Sequence, residues 1–347
     1  MAKKIRKDIE RAWQYLAQEK KNTVLKYLQF LEELPHRKNG VIDLLFEGVY
    51  LDEAYRLQGR EKWLALPHGD FILLWYLGMR AKMGDLRIRY LEELDLRLWN
   101  IDKFPSNFHE LKNLKRLKLK GNIGSIPSRV EDIVVDEDTL HNIRPWLQEL
   151  TIQPKLFLEI ERPEAFIPDL FEDIYGIRFA RKIDAIPYWL QHYKNIRYLR
   201  IPFHEIQKFP YWFSEFVELE ELEIGPAQQD KKTEISDSLG ELKKLRKLVC
   251  ARLGWSALPS WVCKLPRLEY LDIQGNQIEE LPQTLKNLTK LNYLELQRNP
   301  LRVFPEILNQ METLRLVLVD FHQRKSWAPH CQVPLQLAVS HHFKGTV

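Results

Sequence analysis

The chain has few cysteines, no long apolar run and almost no excess of either charge. Its three cysteines, Cys250, Cys263 and Cys331, are an odd and scattered set in 347 residues. That excludes a disulfide framework and points to a reducing compartment, the cytoplasm. The longest strongly apolar run, Phe71 to Leu77, has seven residues. Crossing a bilayer takes about twenty, so no membrane insertion is expected. The opening MAKKIRKDIERAW leads into no apolar stretch and does not read as a secretory signal. Lysine and arginine number 52 and aspartate and glutamate 48, a net charge of +4. An excess this small gives little reason to expect a nucleic-acid partner.

Motifs that carry chemistry are missing too. There is no GxSxG, HExxH or CxxC. The stretch GPAQQDKKT, Gly225 to Thr233, lacks the second glycine that lets backbone N–H groups cradle phosphate. His330, Cys331, His341 and His342 fit no standard zinc spacing. No catalytic residue, metal, cofactor or small-molecule substrate is expected, and the chain does not read as an enzyme.

What is present is a repeat. Leu268, Leu271, Ile273, Asn276, Ile278, Leu281 and Pro282 form one register. It returns 23 residues later as Leu291, Leu294, Leu296, Asn299, Leu301, Phe304 and Pro305. Downstream, Leu314, Val317 and Val319 begin a last copy. Upstream, the register runs through Leu245, Leu222, Leu199, Ile177 and Leu117 to Leu91, Leu94 and Leu96. Leu147, Leu150 and Ile152 read as a further strand core, and about ten repeats are expected in all. Ser128 to Asp173 departs most from the pattern and reads as an insertion. The pattern LxxLxLxxNxLxxLP resembles the leucine-rich-repeat family, closest in length and in its "LP" step to intracellular Ras-group and bacterial repeats.

That resemblance implies an α/β solenoid, a horseshoe with a parallel β-sheet on its concave face. In each LxL the leucines point inward and stack on those of adjacent repeats. Asn at the ninth position satisfies backbone groups where the chain leaves the strand. Asn122, Asn276 and Asn299 hold that position, whereas Trp99, His204, Ala227 and Leu253 replace it elsewhere. Cys250 takes a leucine position and reads as a small buried hydrophobe. Cys263 has no activating partner in view.

Such a stack leaves aliphatic faces at its ends that need covering. Residues 1–85 lack the repeat and show helical apolar faces, so they are expected to be an α-helical N-terminal cap or an interaction domain. Residues 86–327 form the repeat domain, and 328–347 a C-terminal tail or cap. Trp189, Trp212 and Trp261 each sit two residues after a repeat proline and are expected to pack between repeats.

Strand positions between the leucines are free of core duty and are expected on the concave face. Early and middle repeats present Arg116, Lys118, Arg178, Arg181, Arg197 and Arg200. Later ones present Glu223, Asp272 and Glu295, with Tyr198, Tyr270 and Tyr293 in one column. A basic half, an acidic half and aromatic anchors suit a protein partner. Ten strands about 4.8 Å apart span roughly 45 Å, room for the roughly 800 Å² per partner of a standard interface. The alternative is nucleic acid on the basic early repeats and N-terminal helices.

Overall fold

A computed structural model describes residues 74–337, apart from 76, 79, 80, 83, 85, 98–100, 102, 122, 165–173, 203 and 226–232. Most of the expected N-terminal cap lies outside the described residues, as do Trp99, Asn122, Ala227, His341 and His342. The chain divides into two compact units, Met1–Phe157 and Leu158–Val347.

In the second unit, eight strands follow one another in chain order, all parallel. They are β5 (Ile174–Phe179), β6 (Tyr198–Ile201), β7 (Glu221–Ile224), β8 (Lys247–Cys250), β9 (Tyr270–Asp272), β10 (Tyr293–Glu295), β11 (Leu316–Val319) and β12 (Leu335–Leu337). The register is the one the repeat dictates. Leu271 aligns with Leu248 on one side and Leu294 on the other, and Leu199 aligns with Ile177 and Leu222. These side chains are fully buried, because alternation along a strand sends every second residue to the same side.

Each strand from β5 to β10 is followed by a step to a short 3-10 segment that backs the core. Four of these segments open on a proline: Tyr188–His192, Tyr211–Glu215, Gln283–Asn287 and Glu306–Gln310. The ring holds φ between −62° and −77°. The proline carbonyl then accepts the N–H three residues on, as in Leu285 N to Pro282 O at 3.0 Å. Consecutive 3-10 segments pack on one another. Trp212 and Trp261 are buried among them, and the Trp189 indole N–H donates to the Pro163 carbonyl at 2.9 Å.

Among the described residues, the asparagine ladder forms at Asn276 and Asn299. Asn276 Nδ2 donates to the carbonyls of Cys250 and Ile273, both at 2.9 Å, and its Oδ1 accepts from Leu253 N at 2.9 Å. Asn299 Nδ2 repeats the pattern on the Ile273 and Leu296 carbonyls, at 2.9 and 3.0 Å. The next rung is closed by a helix, α3 (Phe321–Trp327), whose buried Gln323 donates to the carbonyls of Asn299 and Leu301. His204 stands at an asparagine position and does part of the work: its Nδ1 accepts from Ile206 N at 3.2 Å. Burial pushes its pKa down to about 4.

The first unit holds α1 (Leu86–Arg89), β1 (Glu93–Asp95), a 3-10 segment at Ser106–Glu110, β2 (Arg116–Leu119), β3 (Asp132–Asp136) and α2 (Glu137–Gln148). Strands β1, β2 and β3 are parallel neighbours. The unit boundary falls inside β4 (Lys155–Ile160).

Two expectations are corrected. Ser128 to Asp173 is not simply an insertion, since it supplies β3, α2 and β4. The strand core expected at Leu147, Leu150 and Ile152 is not one. Leu147 lies in α2, and Ile152 is 72% exposed. The reason is local: Leu140, Ile143 and Leu147 are spaced for a helical stripe, and Asp136 caps that helix by accepting from Thr139 N at 2.8 Å. The strand residues are instead Ile133 and Val135, then Leu156, Leu158 and Ile160, all buried. In the segment read as a tail, β12 pairs with β11.

Leu271→Ala, in the middle of the ladder, should cost about 2–5 kcal/mol in chemical denaturation. His204→Asn should raise stability most in acid. The unfolded chain binds a proton on His204 near its ordinary pKa of 6.5, while the folded chain does so only near 4. Stability is therefore lost as the pH falls through that window, and melting curves at several pH values should show the asparagine variant losing less.

Candidate functional site

The outward columns of the sheet, on the side away from the aliphatic core, carry the residues singled out above. In the first unit, Arg116 pairs with Asp132 on β3 and lies 3.7 Å from Glu93 on β1. Its guanidinium also lies over the Phe157 ring, 5.6 Å from the centroid. Lys118 reaches Glu93 at 2.7 Å. The parallel register forces these meetings, because Glu93 aligns with Arg116 and Arg116 with Asp132.

In the second unit the charges interlock from strand to strand. Arg178 approaches Glu159 at 3.5 Å. Arg197 pairs with Glu220 at 3.0 Å and Arg200 with Glu223 at 3.1 Å. Lys247 holds Glu223 at 2.6 Å and lies over the Tyr270 ring, 5.6 Å from its centroid. The Tyr270 and Tyr293 rings stack at 4.6 Å, tilted by only 9°. The Tyr270 hydroxyl donates to Glu295, and the Tyr293 phenol bonds to the same carboxylate.

Asp272 is fully buried behind this pair. It accepts from Gln274 N and Gln274 Nε2, both at 2.9 Å. Burial, and then the neighbouring Glu295, raise its carboxyl well above the usual range. Glu295 is raised by burial too, against the opposing hydrogen bonds of the two tyrosines. Asp272 and Glu295 hold paired positions on adjacent strands, and two carboxyls this dry disfavour being ionised together.

The structure brings most of the expected residues into this network but treats three differently. Tyr198 shares the column of Tyr270 and Tyr293, with Glu221 and Lys247 on the strands between. It is only 2% exposed. Arg181 lies past the end of β5, in an exposed bend. Asp272 cannot meet a visitor directly. The opposite halves of charge expected from the sequence resolve into alternating pairs, because Glu93, Asp132, Glu159, Arg246 and Lys247 also belong to the face. Their signal was in the sequence: each sits one or two residues before or after a repeat aliphatic.

A family model described as leucine rich repeat matches residues 256–301, the span from the end of β8 past β10. The same register continues from β5 to β11 in the second unit. The chain carries leucine-rich repeats. Comparison with curated proteins finds no match. Among solved structures, this leucine-rich-repeat chain is similar to an internalin of Listeria monocytogenes, at 17% identity and a TM-score of 0.40, covering 70% of this chain and 80% of that one. A leucine-rich-repeat protein of Leptospira interrogans matches at 14% identity and a TM-score of 0.36, over 75% and 98% of the two chains. The Arabidopsis receptor kinase HAESA, solved with a peptide hormone and a co-receptor, matches at 20% identity and 0.41, over 68% and 39%.

No helix among the described residues is long and apolar enough to cross a membrane. Cys250 and Cys263 are buried free thiols, each with its pKa raised by burial.

Asp272→Asn should stabilise the protein at pH 8 and have progressively less effect toward pH 5. A carboxyl raised in the folded state makes folding less favourable as the pH climbs through its folded pKa, and asparagine removes that dependence while still accepting from Gln274. Thermal melts of both proteins across this range give the test.

Proposed function

We propose that this leucine-rich-repeat chain is a non-catalytic interaction module, whether scaffold, regulatory subunit or effector, that binds a protein partner on the outward face of its sheet. The observation that carries the reading is the stacked Tyr270–Tyr293 pair, set among Lys247, Glu223 and Glu295 and held in place before any partner arrives. Aromatic rings with few rotatable bonds give contact area at low entropic cost. Ion pairs around them set orientation more than affinity. Arg197, exposed beside this column, adds a residue type common at interface hot spots. A cytoplasmic location fits the free thiols but rests on this reading.

The nucleic-acid alternative gains nothing from the face. Arg116, Lys118, Arg178, Arg197, Arg200 and Lys247 each meet a carboxylate, which weakens the phosphate attraction such binding depends on.

A double variant, Arg197→Glu with Tyr293→Ala, tests the reading at residues that are not part of the aliphatic core. Affinity capture from the native cell, with quantitative mass spectrometry, should recover one set of proteins with the wild type and at least about tenfold less of it with the variant. Circular dichroism should be unchanged. Equal recovery by the two baits would count against this face.

A further inference from the structure

The back of the first unit has a defect that the second unit lacks. Glu93 aligns with Arg116, a step of 23 residues, but Arg116 aligns with Asp132, a step of only 16. The shortfall removes the 3-10 segment: between β2 and β3 there is none. In the second unit each 3-10 segment from Tyr188–His192 to Gln283–Asn287 is followed by another that packs on it. Ser106–Glu110 is covered on its preceding side, where Asn107 Nδ2 donates to the Trp75 carbonyl at 2.8 Å. On its following side lies a groove of about 320 Å³.

The groove's chemistry is one-sided. Its floor is Phe104, Phe108, Leu111 and Val130. Its rim carries His109, Lys112 and Arg129, all exposed, and among the described residues no carboxylate lines it. His109 lies 3.6 Å from Glu110. Lys112 and Arg129 make no ion pair among the described residues.

We propose that this groove is a docking site for an acidic segment of a protein partner that folds into one 3-10 turn and inserts two apolar residues. The partner thereby supplies the packing that the short repeat omits. Shape argues for it, because the missing element is the one that buries such residues elsewhere: Leu285 and Leu288, or Leu308 and Met311, are buried in their own repeats. Charge argues for it as well, because a basic rim around an apolar floor selects acidic residues beside apolar ones. The site lies on the core-backing side of the first unit and is independent of the sheet-face reading.

The probe is a fluorescent peptide of residues 304–311, FPEILNQM, which forms the corresponding turn in its own repeat. Full-length protein should bind it saturably, with a Kd below about 1 mM. Lys112→Glu with Arg129→Glu, at two exposed positions, should weaken binding about tenfold. A peptide with Glu306→Lys should bind the wild type about tenfold less and recover on the charge-reversed protein. The Arg197→Glu, Tyr293→Ala protein should bind as the wild type does. No saturable binding at millimolar peptide, equal binding by the charge-reversed protein, or loss of binding in the sheet-face variant would each overturn the proposal. So would charge-dependent capture of phosphatidylserine vesicles in place of the peptide.

Discussion

Everything in this protein depends on aliphatic side chains stacking from one repeat to the next in a parallel ladder. A single turn of the coil, with one strand of three to six residues and a short backing segment, cannot bury its own leucines. Leu271 is removed from water because Leu248 and Leu294 lie beside it in register. Stability is therefore a property of neighbours, and the register cannot slip by one residue without turning every leucine outward. That rigidity passes to the other side of the sheet. Outward residues are held in columns about 4.8 Å apart, so a charge meets the residues at the same or a neighbouring position one strand away.

This accounts for the ion-pair ladder. Like charges in adjacent rungs repel at close range, and several close neighbours are of opposite sign: Arg200 with Glu223, Glu223 with Lys247, Arg116 with Asp132. Such largely buried pairs add little net stability, because desolvation offsets most of their attraction. They hold long side chains in fixed positions around the stacked tyrosines, and so lower the entropic cost of binding a visitor. Asp272 is the exception. It is buried against Glu295 with no cation of its own, which is costly, and its two hydrogen bonds from Gln274 recover part of that cost.

The strand side tolerates no variation in register, while the backing side tolerates a good deal. It carries 3-10 turns, the twelve-residue helix α2, and one step reduced to a bare turn. Each variant leaves the inward aliphatics where they must be. The ninth position shows the same tolerance on a smaller scale. Asn276 makes hydrogen bonds with both ends of its amide, whereas His204 supplies one acceptor and stays neutral in a dry site.

The sequence by itself determined the architecture. A 23-residue period of leucines with a proline step leaves one economical way to bury them, and the period could be read directly from Leu271, Leu294 and their counterparts. It also determined which strand residues face outward, since alternation is local. Only the tertiary structure decided what those residues do there. That Lys247 lies over Tyr270, that Glu93 and Asp132 answer Arg116, and that Asp272 is sealed behind Glu295 all depend on contacts between residues at least sixteen positions apart, which a per-repeat reading cannot see. The same holds for Leu147. Its spacing served a strand or a helix equally well, and the choice fell to the helix that Asp136 caps.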